Sequence, residues 1–236
     1  MRGVINFRRE TAEAIADGVA SRAFAFGIPI QDAPCTPNLL IVGAEDGATF
    51  ADAWVKRRPR DFRWNVSGSR DRASSLERFK TSADPVRWWH ISIPTYYDPY
   101  FNTTAPAVRI PGRAAPSRQV YAVSQLRGRT RDDMVRSVVV VDVNAVAGLS
   151  AQQLSDYLTM VSFAQIDPAA DVSGFDSILN LFKAPAANAR MTAWDEAYMR
   201  SLYSADDTYR LNAVQQAEGL AETLQVDLKQ ADGEDD

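Results

Sequence analysis

The spacing of apolar residues predicts helices and strands that alternate along the first third of the chain. Apolar side chains recur at helical spacing in the first segment, which Gly27 and Pro29 end because glycine caps helices and proline cannot continue one. The apolar run between Pro37 and Gly43 has the length and β-branched content of a buried strand. The predicted elements are a helix at 9–26, a strand at 38–42, and helices at 49–58 and 70–81.

The middle of the chain predicts strands and one long loop. The segment 88–93 is aromatic and β-branched and is bounded by Pro94, so it is predicted as a strand. A loop is expected at 95–102. The run 136–143 holds four consecutive valines, which is typical of a strand covered on both faces of its sheet. Two further strands are predicted at 107–110 and 119–125.

The last third of the chain predicts helices. Ser150 and Gln153 have the spacing of a capping box at the start of one helix, and Thr192 is expected to cap the next. The predicted helices lie at 149–164, 192–203 and 211–228, with a short, partly apolar stretch at 174–182.

These elements predict one α+β domain over residues 1–230. Helices are expected to pack on a mixed, mostly parallel sheet, and the C-terminal third is expected to be helical. Residues 231–236 are acidic and are expected to form a solvated, frayed tail.

Composition and charge narrow the class of protein. Hydrophobic residues make up 46% of the chain, as in globular proteins, yet no apolar run approaches the roughly 20 residues that span a bilayer. Met1–Glu10 is polar and lacks the apolar segment of a signal peptide. Residues 1–139 have a balance of +7 and residues 140–236 one of −11. This asymmetry indicates either a basic binding face or two halves that attract each other within one domain.

The single cysteine and the single histidine limit the available chemistry. Cys35 cannot form an intramolecular disulfide or a thiolate zinc cluster, and it is interpreted as a buried, inert residue. His90 lies in a predicted strand without an identifiable partner and is interpreted as structural. A Ser–His–Asp triad stays open, because its members need not be close in sequence.

Several acidic residues are weighed as sites. Asp167, Asp171 and Asp176 lie in one predicted loop, but their spacing is not that of an EF-hand, so turns or helix caps are favoured over a cation site. Asp142 and Asp156 could act as an acid–base pair if the fold brought them together.

Two further motifs suggest binding only weakly. Lys56–Arg60 is the densest basic segment, but the net charge of −4 argues against nucleic-acid binding and favours a solvated helix end. Gly43–Gly47 follows a strand but lacks the third glycine and the lysine of phosphate-binding loops, so it is interpreted as a turn.

An aromatic cluster lies in the long predicted loop. Aromatic loop residues can line a ligand pocket, anchor a protein interface, or fold down onto the core, and all three interpretations stay open. The residues are Tyr96, Tyr97, Tyr100 and Phe101.

Four segments carry the most distinctive motifs of the chain. They are Cys35–Val42, Ser137–Val143, Gln153–Met160, and Ile178–Phe182 with Thr192–Tyr203. In order and content they resemble a group of exported bacterial proteins of unknown function. More distantly, the layout is similar to zinc-metalloprotease-like (zincin) domains, in which an edge strand precedes a helix that bears His-Glu-x-x-His.

The metal-binding motif itself is replaced in this chain. Gln153, Leu154 and Tyr157 stand where the first histidine, the glutamate and the second histidine would stand. Two imidazoles at i and i+4 are needed to hold one zinc ion from one helix face, and the glutamate activates water. The resemblance therefore implies a scaffold without its metal, and no cofactor is expected.

The resemblance implies a non-catalytic binding or structural protein of the bacterial cell envelope, periplasmic or secreted; a cytoplasmic location is the alternative. The ligand or partner is an unknown protein or small molecule, not nucleic acid. Two other functions stay open: a metal-independent hydrolase that uses His90 or paired carboxylates, and a partner-binding module that uses the basic face or the aromatic loop 96–101. The expected cleft residues are Gln153, Asp156, Tyr157, Asn180 and Tyr198.

Overall fold

The computed structural model describes most of the chain. The described residues are 2–31, 37–62, 72–98, 103–106, 130–164, 166–203 and 213–233. The helices are α1 (Arg9–Ala25), α2 (Gly47–Arg57), α3 (Arg72–Thr81), α4 (Ala151–Phe163), α5 (Ala193–Tyr203) and α6 (Ala213–Gly233), with a short 3-10 helix at Ile178–Asn180. The strands are β1 (Arg2–Ile5), β2 (Leu39–Ala44), β3 (Val86–Asp98), β4 (Thr103–Pro106) and β5 (Thr130–Asp142).

The five strands form one mixed sheet in the order β1-β2-β5-β3-β4. β1, β2 and β5 are parallel, and β3 runs antiparallel to both β5 and β4. Two of the four strand pairs are therefore parallel and two antiparallel. The predicted class, a single α+β domain with helices packed on a mixed sheet, is confirmed, whereas the prediction that the sheet is mostly parallel is wrong for the described strands.

Helices cover both faces of the sheet. Val139 and Val141 of β5 face a core cluster that includes residues of α1 and α4, whereas Val138 and Val140 face a second cluster with residues of α2 and α3. All four valines are buried, so the predicted two-sided coverage of this strand is confirmed.

α4 is the most completely buried helix of the described chain. Its capping box is confirmed, because Ser150 Oγ accepts from Gln153 N at 3.1 Å and Gln153 Oε1 accepts from Ser150 N at 3.0 Å. Every residue from Leu154 to Ser162 is buried. The packing with α1 is close: a Cβ on Gly18 would lie 2.5 Å from Ser155 Oγ, so a glycine is required there.

The sequence predictions give bounds for β3 and β5 that are too short and miss β1 and β4: β5, for example, begins at Thr130 and not at residue 136. β3 continues through Pro94 to Asp98, so the loop predicted at 95–102 is wrong for residues 95–98. A register shift between Ile91 and Ser92 precedes the proline, and prolines are tolerated near such irregularities. β1 and β4 have only four residues each, too few to give a hydrophobic pattern. The strands predicted at 107–110 and 119–125 lie outside the described residues.

The C-terminal end also differs from the prediction. α6 continues to Gly233, so its last three residues belong to the segment predicted as a frayed tail. Residues 234–236 lie outside the described part. No helix that the structure describes has the length and apolar character required to cross a bilayer.

Candidate functional site

Asp156, the centre of the predicted cleft, forms a buried ion network between three helices. Its side chain is 0% exposed. Arg22 of α1 binds it with two donors, Nε to Oδ1 at 2.7 Å and Nη2 to Oδ2 at 3.0 Å, and Met191 N donates to Oδ2 at 2.8 Å. Arg22 Nη1 also donates to Glu196 Oε1 of α5 at 2.8 Å. The hydrogen bonds that Arg22 donates to Asp156 raise the pKa of Arg22, so the charges of both residues are satisfied within the fold.

The side chains of Gln153 and Tyr157 are also used in contacts within the fold. Gln153 Nε2 donates to the carbonyl oxygens of Pro185 at 2.8 Å and Asn188 at 3.0 Å, while its Oε1 completes the capping box. Tyr157 is buried and packs edge-to-face on Phe182 with ring centroids 4.8 Å apart. Burial raises the pKa of its phenol well above the ordinary value. Gln153 thus fixes the start of α4, and Tyr157 packs the middle of the helix into the core.

Tyr198 belongs to a group that we call the aromatic stack, defined as Phe175, Trp194 and Tyr198, and Asn180 lies beside it. Trp194 and Tyr198 stack with centroids 5.4 Å apart and an interplanar angle of 17°, and Phe175 lies 5.0 Å from Trp194. Asn180 Nδ2 donates to Phe175 O at 2.8 Å and so holds the loop that carries this ring. Phe175 is 49% exposed. Of the predicted cleft residues, Asp156 and Tyr157 are buried, whereas Gln153, Asn180 and Tyr198 are partly exposed.

Asp195, three residues after the predicted cap Thr192, has a wider structural role than the spacing of the cap predicts. Its buried carboxylate accepts from Ser177 Oγ at 2.5 Å, Ile178 N at 2.8 Å and Thr192 N at 2.9 Å. Burial raises its pKa, against the effect of these hydrogen bonds. Thr192 Oγ1 accepts from Asp195 N at 3.1 Å, which confirms the predicted cap. The Thr-x-x-Asp spacing indicated a cap, but nothing local to it indicated the bond to Ser177.

His90 joins β3 to the end of α4. Its Nε2 lies 2.7 Å from Val161 O, and because a carbonyl only accepts, Nε2 carries the proton. Burial lowers its pKa to about 4. Ser137 is directly opposite on β5, but its buried hydroxyl makes no hydrogen bond within the described residues. The described residues therefore contain no Ser–His hydrogen bond of the kind that the hydrolase hypothesis needs.

Asp142 and Asp156 are not brought together. Asp142 ends β5, where its Oδ1 accepts from Asn144 N and Ala145 N, both at 3.1 Å. Its Oδ2 lies 3.4 Å from Gly47 N. Asp156 instead pairs with Arg22 of α1, so the two carboxylates do not form an acid–base pair.

The region around Asp142 forms a second candidate site, which we call the carboxyl-edge site and define as Asp46, Gly47, Arg87 and Asp142. Gly43 and Ala44 end β2 and Gly47 begins α2, so the interpretation of 43–47 as a turn is wrong at these three residues. Arg87 is 5% exposed, and its Nη2 donates to the carbonyl oxygens of Ser82 at 2.8 Å and Asp84 at 3.0 Å. Burial lowers the pKa of Arg87, while nearby carboxylates, Asp142 first, oppose that shift.

The other predicted candidates have simpler surroundings. Asp167 Oδ1 accepts from Ala169 N at 2.8 Å, and Asp171 Oδ1 accepts from Ser173 N at 3.0 Å, so both stabilise turns. Asp176 contributes its backbone carbonyl to Thr192 Oγ1. Across the parts of the chain that the structure describes, no group of three or more His, Cys, Asp or Glu could hold a metal ion.

The structure also describes the basic segment and part of the aromatic loop. Lys56 pairs with Asp52 within α2, and Arg60 is exposed just beyond that helix. Tyr96 and Tyr97 belong to β3, whereas Tyr100 and Phe101 lie outside the described residues, as does Cys35.

Comparison with protein-family models, curated proteins and solved structures found no match to this chain. The zincin resemblance stays a prediction. One geometric difference from it is clear: β5, which leads into α4, is the central strand of the sheet and not an edge strand. β3 contributes the contacts to the end of α4, through His90 and through Trp88 Nε1, which donates to Ile166 O at 3.0 Å.

Proposed function

We propose that this protein is a non-catalytic binding protein of the bacterial cell envelope. The observation that supports the proposal is the burial of α4 in the core. Gln153, Leu154 and Tyr157, which stand in place of metal-binding residues, cap a helix or pack in the hydrophobic core. Hydrolysis from this helix would need open ligand positions and a base, and these side chains provide neither.

The aromatic stack is the binding surface in this proposal. Aromatic side chains supply a large contact area at low entropic cost, and they are enriched at binding interfaces. Phe175 ends the stack half-exposed, and Asn180 fixes its loop. A ligand or partner would therefore meet a preorganised surface.

Site-specific photo-crosslinking in bacterial cells tests this surface. A photoreactive phenylalanine analogue at position 175 is expected to give a discrete cross-linked product. The matched control is Phe24, which is 81% exposed on α1 and lies outside the stack. Adducts of equal yield at both positions, or none at position 175, would contradict the proposed surface.

Metal analysis tests the non-catalytic part of the proposal separately. The purified protein is incubated with zinc, desalted and analysed by elemental mass spectrometry and by a casein-cleavage assay. Substoichiometric zinc and no cleavage are expected. One zinc per chain that is lost in Gln153→Ala would overturn the proposal.

The envelope location follows from the resemblance to exported proteins and is tested by fractionating cells that express the full gene with a C-terminal tag. Recovery with the periplasm or the culture medium is expected. Recovery only with the cytoplasm would contradict the location but not the binding surface.

A further inference from the structure

Arg87 is a buried cation with unused hydrogen-bond donors. Nη2 has two carbonyl acceptors, but the buried Nε and Nη1 have none among the described residues. Buried donors without acceptors cost free energy, and a charged group costs more than a neutral one. The position therefore favours a ligand that supplies acceptor oxygens.

The amino end of α2 lies directly against this guanidinium. A Cβ on Gly47 would be 3.1 Å from Arg87 Nη1 and 3.2 Å from its Cζ, so the glycine allows the close approach. The first turn of this 11-residue helix has a partial positive charge and attracts anions.

The position in the sheet supports the same site. β2 and β5 are adjacent and parallel, and both end here, with Ala44 paired to Asp142. Ligands of α/β sheets commonly bind beyond the carboxyl ends of parallel strands. Arg87 reaches this edge because β3 runs antiparallel and begins there.

The surrounding carboxylates determine what kind of ligand fits. Asp46, Asp84 and Asp142 all act electrostatically on Arg87, so they would repel a bare anion. Asp46 caps α2 by accepting from Thr49 N at 2.9 Å, and Asp142 Oδ1 accepts from the following turn. Asp142 Oδ2 has only the long contact to Gly47 N in the described structure. Magnesium typically binds one or two protein carboxylates together with phosphate oxygens.

We propose that the carboxyl-edge site binds a phosphate group together with a magnesium ion. Arg87 donates hydrogen bonds to the phosphate, the amino end of α2 contributes its partial positive charge, and Asp142 coordinates the magnesium ion through Oδ2. The ligand class is a magnesium-complexed diphosphate or phosphate ester. This site shares no residue with the aromatic stack, so the proposal goes beyond the proposed function and can fail without it.

Thermal unfolding with inorganic pyrophosphate tests the proposal. Magnesium chloride with pyrophosphate, each at about tenfold above the dissociation constant found by calorimetry, is expected to raise the Tm by about 3 °C. Magnesium alone, and pyrophosphate with EDTA, are expected to leave the Tm unchanged. No stabilisation by the complex, or equal stabilisation by pyrophosphate with EDTA, would overturn the proposal.

Variants locate the effect. Asp142→Asn keeps an acceptor for the turn but weakens magnesium binding, and Gly47→Ala places a methyl group against Arg87 Nη1. Both are expected to lower the affinity for magnesium pyrophosphate at least tenfold. Asp167→Asn is the matched control, because Asp167 also accepts a backbone N–H in a turn, and it should bind like the wild type. Unchanged affinity in Asp142→Asn, with circular dichroism like that of the wild type, would place any ligand elsewhere.

Discussion

Two arginine sites of this protein, Arg22 partly buried and Arg87 buried, differ in how their charge is satisfied. Arg22 meets the carboxylates of Asp156 and Glu196, and Asp156 in turn accepts the amide of Met191. Arg87 meets two backbone carbonyls through one nitrogen, and its other two nitrogens lack acceptors within the described structure. All three guanidinium nitrogens of Arg22 thus have carboxylate acceptors within the fold, whereas Arg87 has two nitrogens that could still donate. The difference is the basis for assigning α4 to stability and for proposing a binding site at the carboxyl edge of the sheet.

The largest expected effect is on the complete site. Asp156→Ala should lower the free energy of unfolding by about 3–5 kcal/mol, because it leaves Arg22 and the amide of Met191 without their buried acceptor. Urea denaturation followed by fluorescence measures the loss. Glu196→Gln serves as the control and should cost less than about 1 kcal/mol, since this pair is partly exposed. Equal losses in the two variants would contradict a buried centre at Asp156.

The next effect is a pH dependence at the end of α4. The pKa of His90 is about 4 in the folded protein and about 6.5 in the unfolded chain, so the unfolded state binds more protons between these values. The contribution of His90 to stability is present above pH 6.5 and is lost as the pH falls towards 4, by at most about 3 kcal/mol. Unfolding curves from pH 7.5 to 4 measure this decline. His90→Gln, which can still donate to Val161 O, should decline less; an identical decline would assign it to other groups.

Alanine substitutions at two glycines, Gly18 beside α4 and Gly47 beside Arg87, compare how tightly the two regions are packed. Gly18→Ala should cost about 2 kcal/mol, because its Cβ would fall 2.5 Å from Ser155 Oγ and 2.6 Å from Ser155 Cβ, and the helices must separate. Gly47→Ala should change stability by less than about 1 kcal/mol, because the helix favours alanine and the contact is 3.1 Å from the end of a long side chain. Thermal unfolding of both variants tests this order. Gly18→Ala/Ser155→Gly should recover part of the loss, and no recovery would place the strain outside this contact.

The smallest effect is expected at the second arginine. Arg87→Met should change the free energy of unfolding by about 1 kcal/mol or less without ligand, because removing a poorly paired buried charge offsets the two lost hydrogen bonds. Urea denaturation provides the value. A loss as large as that of Asp156→Ala would show that Arg87 is as fully satisfied as Arg22.

Local signals predicted much of the fold. The valine run of β5 and the capping box of α4 each lie within a few residues, so their patterns are visible in the sequence. Helices α1 to α5 were predicted to within about three residues for the same reason. β1 and the continuation of β3 past Pro94 were not, because strand pairing with distant segments decides them.

The sites were harder to predict than the elements. Asp156 was predicted to line a cleft, but it is buried against Arg22, which lies 134 positions earlier, and nothing local indicates the pair. Because the sequence does not reveal this partner, an acidic side chain on a helix face is expected to line a cleft. Arg87 was missed because its environment comes from β2, β5 and α2 together. Whether a charged side chain stabilises the fold or can bind a ligand depends on the distant segments that bury it, and residue type alone does not indicate this.

Amide hydrogen exchange compares the two regions most directly. If α4 is a fully buried core helix, its amide hydrogens at 155–162 should exchange only at rates set by global unfolding. The amide hydrogens in the first turn of α2 should exchange at least tenfold faster. Mass spectrometry of peptides from 151–163 and 47–57 gives both rates in one experiment. Fast exchange across 155–162 in the native protein would show that this helix faces solvent, and it would contradict the account given for Asp156 and for the proposed function.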